Sequence, residues 1–505
     1  MKRIALLMAA ASLLSVSQTI LYVWQTPSGF VFPLIHNFIE DYYQYLDIMR
    51  QGYDGWWTAT SRLTPEVYPR MVVSVFLLFL GHIARVLHIS LPVVYTGARV
   101  VGGIALMTLV YQLAKRTFPS SLPKRIVAFC FVLFGTYFWG WGSDGPVVAS
   151  LTHAWTELDP IFRWSFVPHH LWSKVGMLAV FLLLLEPRYT LSLILLTLLI
   201  GFTNPVIYAT IVPTVVLYSI FQREIIRPAF VIIGAGFVLM YHRYLQLSIF
   251  PWTSYLLWEK TLTYQVNPYE YAVSLGPTLL LFILAIPAIR RLGRAGSLYL
   301  AWAASSWFML YVAGSFLPIT PERFLGGYQF IPLGIGSAVW IFSLKGSHPS
   351  RLGVILLLSL YFSVGLYASF REHAGYVTSN KNNVQVYIPD DLMEAMVFLE
   401  KSGHAEDVVM APYEISTMIP AFTGMRVVAG HVMFTFDSGV KRSAIAEYFA
   451  ARDAQTADRI AQTYRVRWVL APSSWQPPAG ISVINILRLP TYGIFYIPGA
   501  RTPEI

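Results

Sequence analysis

Two adjacent carboxylates, Glu40 and Asp41, open the stretch "IEDYYQYLDIMRQGYDGWW" at 39–57. Helical spacing puts Asp41, Tyr45 and Ile48 on one face, and Glu40, Gln44 and Asp47 on another. A carboxylate facing a wet cavity serves as general base for a hydroxyl, or as a metal ligand beside a phosphate. The same pair in the first turn of a helix also complements the positive end of its dipole. Spacing alone leaves both readings open.

A second polar stretch, "SDGPVVASLTHAWTELDPIFRWSFVPHHLW" at 143–172, combines Asp144, Glu157, Asp159, Arg163, His169 and His170 with aromatics. Adjacent histidines point to different sides of a helix and chelate poorly as a pair. No HExxH or CxxC pattern occurs, so a zinc hydrolase is unsupported. One histidine with a carboxylate from each of two loops would hold a divalent cation such as Mg or Mn; otherwise this is a solvated loop ahead of a "PHH" helix start. Arg323, in "LPITPERFLGGYQFIPLG", stands where an arginine clamps a phosphate, or where it pairs with Glu322 or lipid headgroups. His242 and Arg243 fall near the end of an apolar run, where ionisable groups snorkel or face water.

These side chains must be positioned by apolar elements. Of the 505 residues, 56% are hydrophobic and 12% charged. Apolar runs of about 17–25 residues, the length that crosses a bilayer, recur to position 370. The chain therefore reads as an α-helical polytopic membrane protein. Its net charge of +10 reflects basic turns rather than a nucleic-acid surface. The single cysteine, Cys130, excludes an intrachain disulfide. Lys2 and Arg3 hold the N-terminus on the cytoplasmic side, and the apolar stretch after them reads as an uncleaved first span.

The same rule gathers Lys115, Arg116, Lys124, Arg125, Arg188, Arg223, Arg227, Arg290, Arg291, Arg294, Lys345 and Arg351 into cytoplasmic turns. Spans then run near 4–24, 93–113, 126–142, 171–186, 190–202, 205–221, 229–246, 271–289, 297–314, 326–343 and 352–370, about eleven crossings. "GFTNP" at 201–205 is an outward-facing break. Segment 71–89 reads as a helix lying in or dipping into the outer leaflet. Of the acids before residue 371, all but Glu186 and Glu224 fall in loops placed outside.

Residues 1–370 thus form a transmembrane module, with 25–92 as its first outer loop. Residues 371–505 form a separate extracytoplasmic α/β domain. There "DVVMAP" (407–412), "RVVAG" (426–430) and "RWVLAP" (467–472) read as buried strands, and 389–403 and 441–464 carry helical spacing.

This organisation resembles the GT-C superfamily of membrane glycosyltransferases, which use polyprenyl-phosphate sugars. The likeness rests on an inside N-terminus, a long first outer loop with paired acids, an outer-leaflet helix, further spans and an outer C-terminal domain. "IEDYYQYLDIMRQGYDGWW", "SLPVVYTGARVVGGIALMTLVYQLAKRTF", "WSFVPHHLW", "GFTNP", "PERFLGGYQFIPLG" and "IPDDLMEAMVFLEKSG" are similar to segments of uncharacterised bacterial relatives. The WWD motif of oligosaccharyltransferases is absent, since "GWW" at 55–57 runs into Thr58.

The resemblance implies an inverting transfer of a lipid-linked sugar to a protein, lipid or glycan hydroxyl at the cell membrane. Asp41 matches the catalytic acid of the first outer loop, with Glu40 beside it; the order here is Glu then Asp, where many members have Asp then Glu. Glu157, Asp159 and His169 or His170 match a region assisting metal or acceptor binding in some members. Arg323 matches a late-span basic residue that grips the donor phosphate, and Arg243 is a second candidate for holding it. Within "AGHVMFTFDSGVKR", His431 and Lys441 are candidates for facing the membrane site, or for supporting the small domain. The resemblance leaves a divalent cation open. A transporter or flippase would need ionisable groups within the spans, which are almost clean, and a non-catalytic scaffold would tolerate loss of Asp41.

Overall fold

The computed structural model describes residues 2–36, 38–154, 156–186, 190–261, 265–317, 320–344 and 348–498. Arg188 and Lys345, two of the expected cytoplasmic charges, lie outside the described residues. The chain divides into two compact units. One comprises Met1–Gln18, Thr96–Arg243 and Glu259–Tyr376; the other comprises Thr19–Tyr95, Tyr244–Trp258 and Val377–Ile505.

The first unit is a helical bundle. Its helices are α1 (Lys2–Ser15), the body of Leu91–Thr117, Leu122–Phe134, Pro168–Leu184, Thr190–Thr203, Tyr208–Gln222, Ile226–Ser248, Pro268–Leu275, Pro277–Arg290, Arg294–Phe308, Phe330–Ser343 and His348–Ser379. Every expected span contains a helix. The core joins Leu106, Phe129, Phe181, Tyr218, Trp302 and Ile331. Among the described residues, four helices are long and apolar enough to cross a membrane, or six if each bent pair counts as one span.

Three expected spans differ in detail. Residues 126–142 are helical only to Phe134; glycines and the "SDG" turn instead make a hairpin, Gly140–Gly142 paired with Gly145–Val147. The 271–289 segment is two helices bent by 86° at Gly276, whose φ of 66° and following Pro277 stop the first helix. The first span bends by 49° between Ser15 and Ser17. By contrast, the "GFTNP" break is present: Asn204 accepts the Val206 N–H and starts the next helical segment.

Glu186 and Glu224, the two acids outside the expected sidedness, each sit with a basic turn. Arg116 Nη1 lies 2.7 Å from Glu186, and Arg227 Nη2 donates to Glu224 at 2.6 Å. Their exception therefore follows the basic ends of the helices.

The second unit joins the first outer loop to the tail. The expected division at 370/371 differs in two ways: His348–Ser379 is one unbroken helix, and residues 19–95 pack with the tail. Phe30 and Val31 pair antiparallel with Pro389 and Ile388. We label the helices Ile39–Tyr53 and Val75–Leu87 α2 and α3. The thirteen residues of α3 make about 20 Å of helix, short of a bilayer core of about 30 Å. It crosses α2 backbone to backbone: a Cβ on Gly52 would strike the Leu78 carbonyl, and one on Gly81 the Met49 carbonyl.

The tail holds a five-stranded sheet, with Val408–Met410 between Arg426–Val427 and Val466–Pro472 in parallel, then Tyr492–Tyr496 and Ile484–Arg488 antiparallel. The three expected strands are its parallel members. The expected helix over 441–464 is two, Ser438–Ala450 and Ala454–Thr463, the second capped by Asp453 through the Thr456 N–H.

Candidate active site

Helix α2 begins after Phe38, whose side chain offers no cap, so Glu40 and Asp41 supply negative charge to the first turn. The helix-end reading of the pair is thus realised. Beyond the cap role, Asp41 Oδ1 lies 3.1 Å from His431 Nε2, across 390 positions of sequence. The Met433 N–H donates to His431 Nδ1 at 3.1 Å, so Nδ1 carries no proton. In this geometry Nε2–H is the donor to Asp41.

The tail holds this histidine firmly. Thr435 Oγ1 accepts the backbone N–H groups of Gly430 and His431 and donates to the Leu63 carbonyl at 2.6 Å. The His431 side chain is 3% exposed, whereas Asp41 remains 34% exposed. Among the described residues, Asp41 Oδ2 has no partner. Glu40 is half-buried and makes no hydrogen bond to a described residue.

The other first-loop acids near this pair are neutralised by cations. Arg62 Nη2 holds Asp54 at 2.8 Å, and Arg50 bonds both Asp54 and Glu400. Lys441 donates to both Glu66 oxygens, at 2.5 and 2.7 Å, and to Thr64 Oγ1 at 3.0 Å. Burial raises the Glu66 carboxyl, but the bonds from Lys441 and Thr64 outweigh it and hold the pKa below the usual range. Lys441 therefore anchors the 61–66 segment and does not join Asp41. Asp47 is fully buried, 3.9 Å from Arg62 and 3.3 Å from Gln51 Nε2. Burial pushes its pKa up to about 6 against the pull of Arg62.

The remaining candidates belong to the bundle unit, where Lys174 and Arg323 both act on His170 and Lys174 also pairs with Glu157. Asp159 accepts the N–H groups of Ile161 and Phe162 and lies 3.1 Å from His373. Burial opposes its ionisation, but His373 and these N–H groups together lower its pKa. Glu157 lies 3.3 Å from Lys174, which donates to the Gly326 carbonyl. His169 and His170 meet edge to face at 4.7 Å. Arg323 Nη2 bonds Glu259 at 2.7 Å, and its charge also acts on Glu322. Arg243 is exposed and makes no ion pair among the described residues. Among the described residues no three His, Cys, Asp or Glu side chains gather to hold a metal, and both ring nitrogens of His431 are engaged.

Sequence reading missed Lys174, His373 and Glu259. A lysine inside an apolar run was the one available signal, since a buried cation demands an acid.

No protein-family model and no curated protein sequence matches the chain. Solved structures do. The Archaeoglobus fulgidus oligosaccharyltransferase tethered with an acceptor peptide aligns with a TM-score of 0.52 and 14% identity, over 93% of this chain and 69% of that one. ArnT from Cupriavidus metallidurans bound to undecaprenyl phosphate aligns with a TM-score of 0.52 and 10% identity, over 99% of both chains. The chain has the GT-C fold. The arabinofuranosyltransferase AftD from Mycobacteria also aligns, with a TM-score of 0.53 and 12% identity, over 98% of this chain and 41% of that one. A further structure of the archaeal oligosaccharyltransferase is a complex with Zn and sulfate. At these identities the likeness is one of GT-C architecture, and the chemistry rests on this chain's own side chains.

Proposed function

We propose that this GT-C chain is an integral membrane glycosyltransferase that moves a sugar from a polyprenyl-phosphate donor to an acceptor hydroxyl on the outer face. The observation that carries the reading is the Asp41–His431 pair. The His431 N–H holds one carboxylate oxygen while the other stays open. In the step, the acceptor oxygen bonds to the anomeric carbon as the carbon–oxygen bond to phosphate breaks. The bonding pair leaves with the phosphate, the acceptor proton passes to Asp41, and the anomeric centre inverts. Orientation by His431 is worth rate because a base works only within hydrogen-bond reach of the proton it takes.

Arg323 and Arg243 are the proposed partners of the departing phosphate. Arg323 would share its guanidinium between Glu259 and the phosphate; Arg243 makes no ion pair among the described residues. The reading takes the N-terminus as cytoplasmic and the tail as outer, with Asp41 on the side of the donor headgroup. Support for a lipid-phosphate donor comes from the neighbour that binds undecaprenyl phosphate, and for an acceptor in the same architecture from the peptide-tethered neighbour.

The test is sugar transfer by purified Asp41→Asn protein from a polyprenyl-phosphate donor. A loss of at least a hundredfold with unchanged folding is expected. Wild-type rates in Asp41→Asn would remove Asp41 from the reaction.

A further inference from the structure

The tail unit carries a cleft that the transfer step does not use. It encloses about 790 Å³, within the range of small-molecule sites. One wall is helix Ser438–Ala450, which presents Gly439, Arg442, Ser443 and Ala446 at helical spacing, three of them short enough to keep the floor open. Phe449 of the same helix and Tyr413 and Trp475 from other segments supply aromatic surface.

The polar groups here are unspent. The Arg442 guanidinium stacks 4.3 Å from the Tyr413 ring centre, which fixes its plane. Among the described residues it makes no hydrogen bond or ion pair, and neither does the Glu414 carboxylate. The exposed Arg442 guanidinium and Glu414 carboxylate, donors and an acceptor, therefore stand open beside aromatic faces. Carbohydrate hydroxyls both donate and accept, and sugar C–H faces pack on aromatic rings. A phosphate would leave Glu414 opposed, and an extended peptide would find a helix surface rather than a strand edge.

The cleft also neighbours the start of α2: Gln385 Nε2 donates to the Glu414 carbonyl at 3.0 Å, and the Gln385 carbonyl in turn accepts from the Tyr43 hydroxyl of α2.

Building on the transfer reading, we infer that this cleft is the acceptor subsite and that the acceptor is a polyhydroxylated glycan. Its reducing or branching hydroxyl would emerge toward Asp41, while Arg442, Glu414 and the aromatic walls hold the neighbouring sugar units.

The experiment is saturation-transfer difference NMR on the full chain in lipid nanodiscs. The probes are hexose, pentose and uronate tetrasaccharides, with tetra-alanine as the peptide control. At least one tetrasaccharide should bind, at least tenfold more weakly in Arg442→Ala and in Ser443→Trp. Both positions are exposed on their helix, so neither change disturbs the core. Absence of saccharide binding, binding that Ser443→Trp leaves unchanged, or tighter binding of tetra-alanine overturns the inference. Transfer that survives with binding insensitive to both variants overturns the cleft alone. Saccharide binding lost in both variants, without any transfer by the wild type, keeps the glycan site and overturns its acceptor role.

Discussion

Replacing His431 by alanine removes the hydrogen bond that fixes Asp41 and nothing else that touches Asp41 among the described residues. A hydrogen bond from an N–H to a carboxylate is worth about 1.5–3 kcal/mol. Asp41 is one-third exposed, so water replaces part of it and the lower end applies. A loss of about 1.5–2 kcal/mol in the transition state corresponds to a fall in kcat of roughly 10–30-fold. The KM for the donor should be unchanged, because His431 contacts only the base. His431→Gln keeps an N–H donor and should recover part of the rate. The decisive measurement is the cycle with Asp41→Asn, which alone should cost about 10²–10⁴. If His431 acts through Asp41, adding His431→Ala to Asp41→Asn costs less than about threefold more, far from the product of the two effects. A full further 10–30-fold loss in the double variant would refute the pairing as the source of His431's effect.

Four further outcomes follow from the same geometry. Lys441→Met should leave transfer within about twofold of wild type while lowering thermal stability, since a half-exposed Glu66 is readily rehydrated and surface-type pairs contribute about 1 kcal/mol or less. Asp47 has a folded pKa near 6 against 3.8 in the unfolded chain, so its favourable contribution is complete below about pH 4 and lost as pH rises through about 6. Asp47→Asn should therefore stabilise the protein at pH 7.5, by up to about 3 kcal/mol, and change nothing near pH 4 in thermal unfolding; equal gains at both would refute the assignment to ionisation. Gly52→Ala or Gly81→Ala should cost at least about 2 kcal/mol by forcing α2 and α3 apart, with Gly97→Ala, which meets open space, as the neutral control in size-exclusion thermostability assays. Arg323→Lys should raise the donor KM and leave the glycan affinity of the tail unchanged; a change confined to folding yield would make Arg323 only the counter-ion of Glu259.

The helices were legible because each apolar run had to bury its backbone hydrogen bonds internally, whatever it packed against. What failed was local chemistry inside the runs. Gly276 and Pro277 stop a helix that composition alone would continue, and the "SDG" turn folds back residues hydrophobic enough to read as membrane. In the tail, the parallel strands were continuous apolar runs, while Ile484–Arg488 carries Asn485 and mostly exposed side chains and gave no such signal. The grouping of residues 19–95 with the tail depends on contacts such as Arg426 to the Ser61 and Glu66 carbonyls, for which no local pattern exists.

The site shows the same limit, and also why Asp41 stands apart. Charge placement singled out the first-loop acids together but could not rank them. The partners do. Asp54 and Glu66 are held by arginine or lysine, and a carboxylate so neutralised is a poor proton acceptor. Asp47 is buried beside Arg62 and reaches no solvent. Asp41 alone combines an open oxygen with a partner that orients it without cancelling its charge. A general base needs charge, direction and access at once. On the proposed reading a histidine pinned by Thr435 gives Asp41 direction, and Oδ2, without a partner among the described residues, gives access. Moving the cation is then the sharpest probe of the idea: an arginine at position 431 would keep the hydrogen bond yet neutralise Asp41, so His431→Arg should lose more activity than His431→Gln even where both fold.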